Sequence, residues 1–134
     1  MASDIGTAGS ALEAECRSHN VLYERHLASL PDLRGLDHEE YIATRCRAPH
    51  EGDHVYGLDN RIFLSRVRDE LGQLQSGAAV LDYACGTGQV STVIAQGGFS
   101  VSGFDLSDVG VQVAQRVADL AGVAARTLFV VANA

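Results

Sequence analysis

Val80-Leu81-Asp82-Tyr83-Ala84-Cys85-Gly86-Thr87-Gly88 is the stretch of this 134-residue chain whose reading decides the fold. An apolar run of strand length, Ala78 to Tyr83, is bounded by Gly77 and Gly86 and leads into a helical pattern from Gly88 to Gln96, which ends at Gly97-Gly98. Such a short apolar run predicts a strand buried on both faces, as in a parallel sheet. Glycines at 86 and 88, where strand turns into helix, let a ligand approach the backbone amides at the helix N-terminus. Seventeen residues beyond Gly88, at the end of a second expected strand (Phe99 to Phe104), stands Asp105, a carboxylate placed to accept two ribose hydroxyl hydrogen bonds. Gly-x-Gly alone describes any tight turn. With the strand before it, the helix after it and the acid at the next strand end, it predicts a nucleoside site.

Toward the C-terminus, Ser107 is a candidate cap for a helix carrying Val109, Val113, Val117 and Leu120 and closed by Gly122. Thr127 to Val131 reads as a third strand. Strand, helix, strand, helix, strand predicts an α/β fold, a Rossmann-like parallel sheet of three strands with right-handed crossovers. Toward the N-terminus the texture changes. Residues 1–76 hold thirteen of the seventeen acids, eight of the ten arginines and all five histidines, whereas 77–134 is small, apolar and glycine-rich. A boundary at Ser76-Gly77 is expected, separating an N-terminal helical region (1–76) from the sheet (77–134).

The N-terminal region reads as three helices after a small-residue start, Met1 to Ala11, that is expected to fray. Leu12, Cys16, His19, Leu22, Tyr23 and Leu27 make one apolar stripe ending before Pro31. Asp37 with Glu40 forms a capping box for a short helix ending before Pro49. Asp59 is expected to cap a third, with Ile62, Phe63, Val67, Leu71 and Leu74 facing inward. His19 and His26 read as boundary positions, and Cys85 as a small buried packing residue.

The glycine turn also limits which nucleoside fits. A dinucleotide fingerprint needs glycine or alanine where Ser91 stands, and Asp82 just ahead of the turn would repel a pyrophosphate. A nucleoside bearing an ammonium and a sulfonium is compatible with that carboxylate. Here the sequence resembles a known family: residues 81–88 resemble the first motif of class I S-adenosylmethionine-dependent methyltransferases, and Gly103-Phe104-Asp105-Leu106-Ser107 the second. The resemblance covers residues 78–134. It implies S-adenosyl-L-methionine as cofactor, Asp82 near its methionine end, and Ala84, Gly86, Thr87 and Gly88 forming the turn around it. It further implies that Asp105 holds the ribose, that Leu106 packs on the adenine, and that Asn133 takes the adenine amino group where relatives often carry an acid. Ala84 departs from the commoner glycine. A small-molecule acceptor is expected.

Relatives continue after the third strand with the segments that supply acceptor contacts and any catalytic base, so the chain reads as a truncated cofactor-binding half with no catalytic residue assignable. The first strand is then an open edge carrying Val80 and Leu81, through which chains can self-associate. A second reading, from a different class, is a non-catalytic nucleoside-binding module whose sheet a partner chain completes. A third arises from His50-Glu51-Gly52-Asp53-His54, a literal zinc-protease H-E-x-x-H. Pro49 and Gly52-Asp53 make a poor helix for it, Asn60 stands where the extended motif needs histidine, and Glu70 is the one substitute ligand, so a polar linker, with Tyr56 as a candidate lid residue, is expected instead and no metal.

Composition sets the remaining bounds. With 46% apolar and 20% charged residues the chain is expected to fold as a globular unit. A net charge of -7, with all ten basic residues arginine and no basic patch, argues against a nucleic-acid partner. Cys16, Cys46 and Cys85 lack the spacing of a disulfide framework or thiolate metal site, and no segment reads as a signal peptide or membrane span. A cytoplasmic protein with no membrane partner is expected.

Overall fold

Two runs of helical spacing and a strand-helix alternation fold as three kinds of element in the computed structural model, which describes residues 5–28 and 53–132. In chain order these are α1 (Ile5–Ala28), α2 (Asp53–Leu71), β1 (Ala79–Tyr83), α3 (Gln89–Gln96), β2 (Ser100–Asp105), α4 (Asp108–Leu120), a 3-10 turn (Ala124–Arg126) and β3 (Thr127–Val131). The sheet is parallel throughout, in the order β1-β2-β3, with Val80 beside Val101 and Gly103 beside Phe129. The Rossmann-like reading holds, and β1 is an edge strand among the described residues.

Local signals in the sequence account for the boundaries around the sheet. Ser107 caps α4, its hydroxyl accepting from the Gly110 amide at 2.8 Å. At the other end Gly122 N–H donates to Asp119 O and Val123 N–H to Ala118 O, the paired bonds of a Schellman stop, with Gly122 at φ 73° and Val123 buried beside Ala118. Gly97 closes α3, and Gly98 takes the left-handed conformation that lets the chain turn into β2.

The core lies on one face of the sheet. Val101 and Phe129 meet Ile94 and Ala95 of α3 and Val111, Ala114 and Ala118 of α4, with Val67 and Leu71 of α2 at the margin. The opposite side of α4 carries Val113 and Val117, both fully buried, against Leu64 of α2 and Tyr23 of α1. α4 is therefore apolar on two sides because it packs between the sheet and the N-terminal helices.

Several expectations fail here for identifiable reasons. β1 is not buried on both faces: Leu81 and Tyr83 are 66% and 65% exposed, because among the described residues the helices pack on the Val80 side only. The helix expected to start at an Asp59 cap begins at Asp53, so Tyr56 lies inside a helix and not in a linker. Its most buried residue is Leu64, whereas Ile62 and Phe63 are about half exposed, since the helix turns only its Leu64-Val67-Leu71 stripe toward α4 and the sheet core; Leu74, also half exposed, lies beyond the helix end. In α1, Leu22 is 57% exposed, and the start expected to fray is helical from Ile5. The capping box at Asp37 and the short helix before Pro49 lie outside the described residues, as do Asn133, His50 and Glu51.

Candidate cofactor-binding site

Parallel strands place the ends of β1 and β2 side by side, so the turn after Tyr83 faces the carboxylate that ends β2. The Gly86 amide donates to Asp105 Oδ2 at 2.8 Å, and the Ser107 amide donates to Oδ1 at 2.9 Å. Cys85 N–H reaches Phe104 O at 3.0 Å, and Ala132 N–H reaches Asp105 O at 3.0 Å. All three strand tips are thus tied together around Asp105, which is 9% exposed. A carboxylate offers about four acceptor positions, so two remain after these amides are counted.

A cleft of about 160 Å³ opens beside this carboxylate. Of the residues singled out by sequence, Ala84, Asp105 and Leu106 line it, and Gly86 joins through its bond to Asp105. Asp82 sits on the covered side of β1, where its Oδ2 accepts from the Ser91 hydroxyl of α3. Ser91, which breaks the dinucleotide pattern, is fully buried and anchors that acid. Gly88 opens α3 at φ 68°, and a β-carbon there would stand 2.6 Å from the Ala114 β-carbon and 3.2 Å from the Phe129 ring. Its missing side chain serves the close approach of α4. At Gly86, φ 53°, an added β-carbon would meet the Tyr23 hydroxyl at 3.2 Å. Thr87, half-buried, completes the turn between them.

The far wall of the cleft was not found from the sequence. Glu15 and His19, one turn apart on α1, line it opposite Tyr83 and Phe104, whose rings stack edge to face at 4.8 Å, with Ala132 at the third strand end. Glutamate and histidine four residues apart on a helix mark a shared face, but no local signal tells which strand ends that face will cross some ninety residues later. Alternation would have placed Tyr83 and Phe104 on the same side of neighbouring strands.

Two ionisable groups here are kept protonated. Burial, then the charges of Asp82 and Asp105, push the Cys85 thiol up to about 12. It is a packing residue and no nucleophile at neutral pH, in line with the sequence reading. Burial first, then Asp105 and Cys85, also raise the pKa of Tyr23, which keeps its hydroxyl neutral over the turn. Among the described residues no cluster of three or more metal-binding side chains occurs, and no helix is long and apolar enough to cross a membrane. Of the H-E-x-x-H stretch, only Asp53 and His54 fall within the described residues, in the first turn of α2.

Comparison with known proteins finds likenesses for this part of the chain. Residues 74–134 match the family model described as a methyltransferase domain. A solved SAM-dependent methyltransferase from Thiobacillus denitrificans, in complex with S-adenosyl-L-homocysteine, is 31% identical over 52% of this chain and 28% of its own, with a TM-score of 0.46. A second, from Geobacter sulfurreducens and bound to the same molecule, is 22% identical over 72% of this chain and 36% of its own, with a TM-score of 0.48. A geranyl diphosphate methyltransferase in complex with GPP and sinefungin is 25% identical over 55% of this chain and 28% of its own, and its TM-score of 0.51 reflects a shared fold. No curated protein sequence matches. The chain spans less than two fifths of the length of each of these structures.

Proposed function

We infer that this chain, whose residues 74–134 match a methyltransferase-domain family model, binds S-adenosyl-L-methionine beside Asp105 and serves methyl transfer to a small-molecule acceptor. The observation that carries the reading is the 2.8 Å bond from the Gly86 amide to the Asp105 carboxylate, which joins the glycine turn and the acid of the neighbouring strand into one site. The two acceptor positions left on Asp105 suit the two ribose hydroxyls, a charged hydrogen-bonding pattern that fixes orientation. Leu106 and Ala84 offer apolar walls for the adenine, and Ala132, in the cleft, directly precedes Asn133, whose side-chain carbonyl suits the adenine amino group. Gly86, Thr87 and Gly88 present backbone at the start of α3, and Asp82, held by Ser91, sets a negative charge near the ammonium of the methionine end. A drug-sized ligand fills a pocket of about 300 Å³ or more, so the 160 Å³ cleft suits the nucleoside portion.

The cofactor supplies a methyl group on a cationic sulfur, a leaving group good enough that orientation of the acceptor accounts for most of the acceleration. The residues of this chain bind and orient; we assign none of them as a catalytic base. Residues 1–76 act as a helical cap on the 77–134 part, with α1 as the wall of the cleft. Small-molecule chemistry is supported by the likeness to the geranyl diphosphate methyltransferase, which was solved in complex with GPP and sinefungin. The unpaired thiols of Cys16 and Cys85 suit a reducing, cytoplasmic setting.

Calorimetric titration with S-adenosylhomocysteine tests the reading. Asp105→Ala removes charged hydrogen bonds and is expected to weaken binding by about 1.5–3 kcal/mol, roughly tenfold to a hundredfold. Equal affinity for the variant and the unaltered chain would refute the assignment.

A further inference from the structure

Helix α1 meets the start of α4 through an asparagine whose two polar atoms are both committed. Asn20 Oδ1 accepts from the Ser107 hydroxyl, while Asn20 Nδ2 donates to Asp108 Oδ1 at 3.0 Å. Around it, Cys16 Sγ lies 3.9 Å from Leu106 O. The Tyr23 ring fills a notch available only because residue 110 is glycine, where a β-carbon would stand 2.9 Å from the ring. Ser107 is the hinge of the arrangement. Its hydroxyl accepts from Gly110 N–H, and its own amide donates to Asp105 Oδ1 at 2.9 Å.

We propose that Asn20 is a positioning residue for the Asp105 carboxylate, acting through Ser107 across 87 residues of sequence. This rests on the reading of Asp105 as the ribose ligand. A serine hydroxyl has one proton and two lone pairs; here the cap takes a lone pair and Asn20 takes the proton, so the hydroxyl has one orientation. The 105–107 backbone is then fixed against α1, and the carboxylate is aimed before any ligand arrives, which lowers the ordering cost of binding. Opposite Asp108, only an amide does this. A carboxylate at position 20 would accept from Ser107 but repel Asp108, and an apolar side chain would leave the serine proton without its acceptor.

The test compares two ligands, S-adenosylhomocysteine and its 2′,3′-dideoxy analogue, by calorimetry. Asn20→Asp is expected to weaken S-adenosylhomocysteine about tenfold, the size of a charged hydrogen bond lost or misdirected, and to leave the dideoxy analogue unchanged. Adding Asp108→Asn reverses donor and acceptor across the pair and is expected to restore the original affinity. Equal losses for both ligands would mean that Asn20 merely supports the fold, and no loss for either would mean that it does nothing; each overturns the proposal. If Asn20→Asp does not fold, the double variant carries the test: it must prefer the ribose-bearing ligand as strongly as the unaltered chain does, and a lost preference overturns the proposal. Should Asp105→Ala bind both ligands as the unaltered chain does, the ribose reading itself has failed.

Discussion

Ala84 adopts φ 56°, in the left-handed region where a β-carbon crowds the backbone. The position follows β1 directly and lines the cleft, so the strain sits at the proposed ligand contact. Ala84→Gly is expected to raise stability by about 0.5–1 kcal/mol, relief of strain outweighing the added freedom of the unfolded chain. Gly88→Ala, four residues on, combines the same backbone strain with a clash against Ala114 and should cost about 2–4 kcal/mol. Denaturant titration of both variants checks the opposite signs; a stabilised Gly88→Ala would mean that α4 does not press on the turn. Cys85 adds a pH dependence. Its thiol pKa rises from an ordinary 9.0 to about 12 on folding, so the folded chain holds that proton more tightly. The resulting stability is fully present below pH 9 and is lost as pH climbs toward 12. Melting temperature should therefore fall more steeply over that range in the unaltered chain than in Cys85→Ala; parallel slopes would contradict the buried, charge-crowded setting of the thiol.

Element by element, the sequence was most informative where the cause of structure is local. The Ser107 cap, the Gly122 stop, the Gly97-Gly98 end of α3 and the residues of β3 are set by one or two side chains acting on their own backbone. Facing was less legible, because it depends on what packs where. Leu81 and Tyr83 read as buried since an apolar run is silent about which face a helix covers. Ile62 and Phe63 read as core on helical spacing alone, although α4 accepts Leu64 instead. The same limit governs the cleft: the juxtaposition of Gly86 with Asp105 was legible because it follows from strand ends and turn geometry, whereas Glu15, His19 and Asn20 enter through the docking of a distant helix.

At the scale of the whole molecule, the sheet is covered on one face and apolar on the other among the described residues. Leu81, Tyr83, Leu128 and Val130 are exposed there at 66%, 65%, 61% and 44%, with β1 as an edge beside them. Such a contiguous patch is expected to bind a hydrophobic dye. Replacing Leu81 and Leu128 together by serine should reduce dye fluorescence while changing stability by no more than about 0.5 kcal/mol each, the usual range for exposed positions. A large loss of stability would show that these side chains are covered in solution. The central claim, that the joined strand tips form the cofactor site, is tested most directly by amide resonances during titration with S-adenosylhomocysteine. Gly86 and Ser107, the two donors to Asp105, are expected to shift in step with binding while Gly122, at the far end of α4, stays in place. Saturable binding that leaves Gly86 and Ser107 unmoved would contradict it.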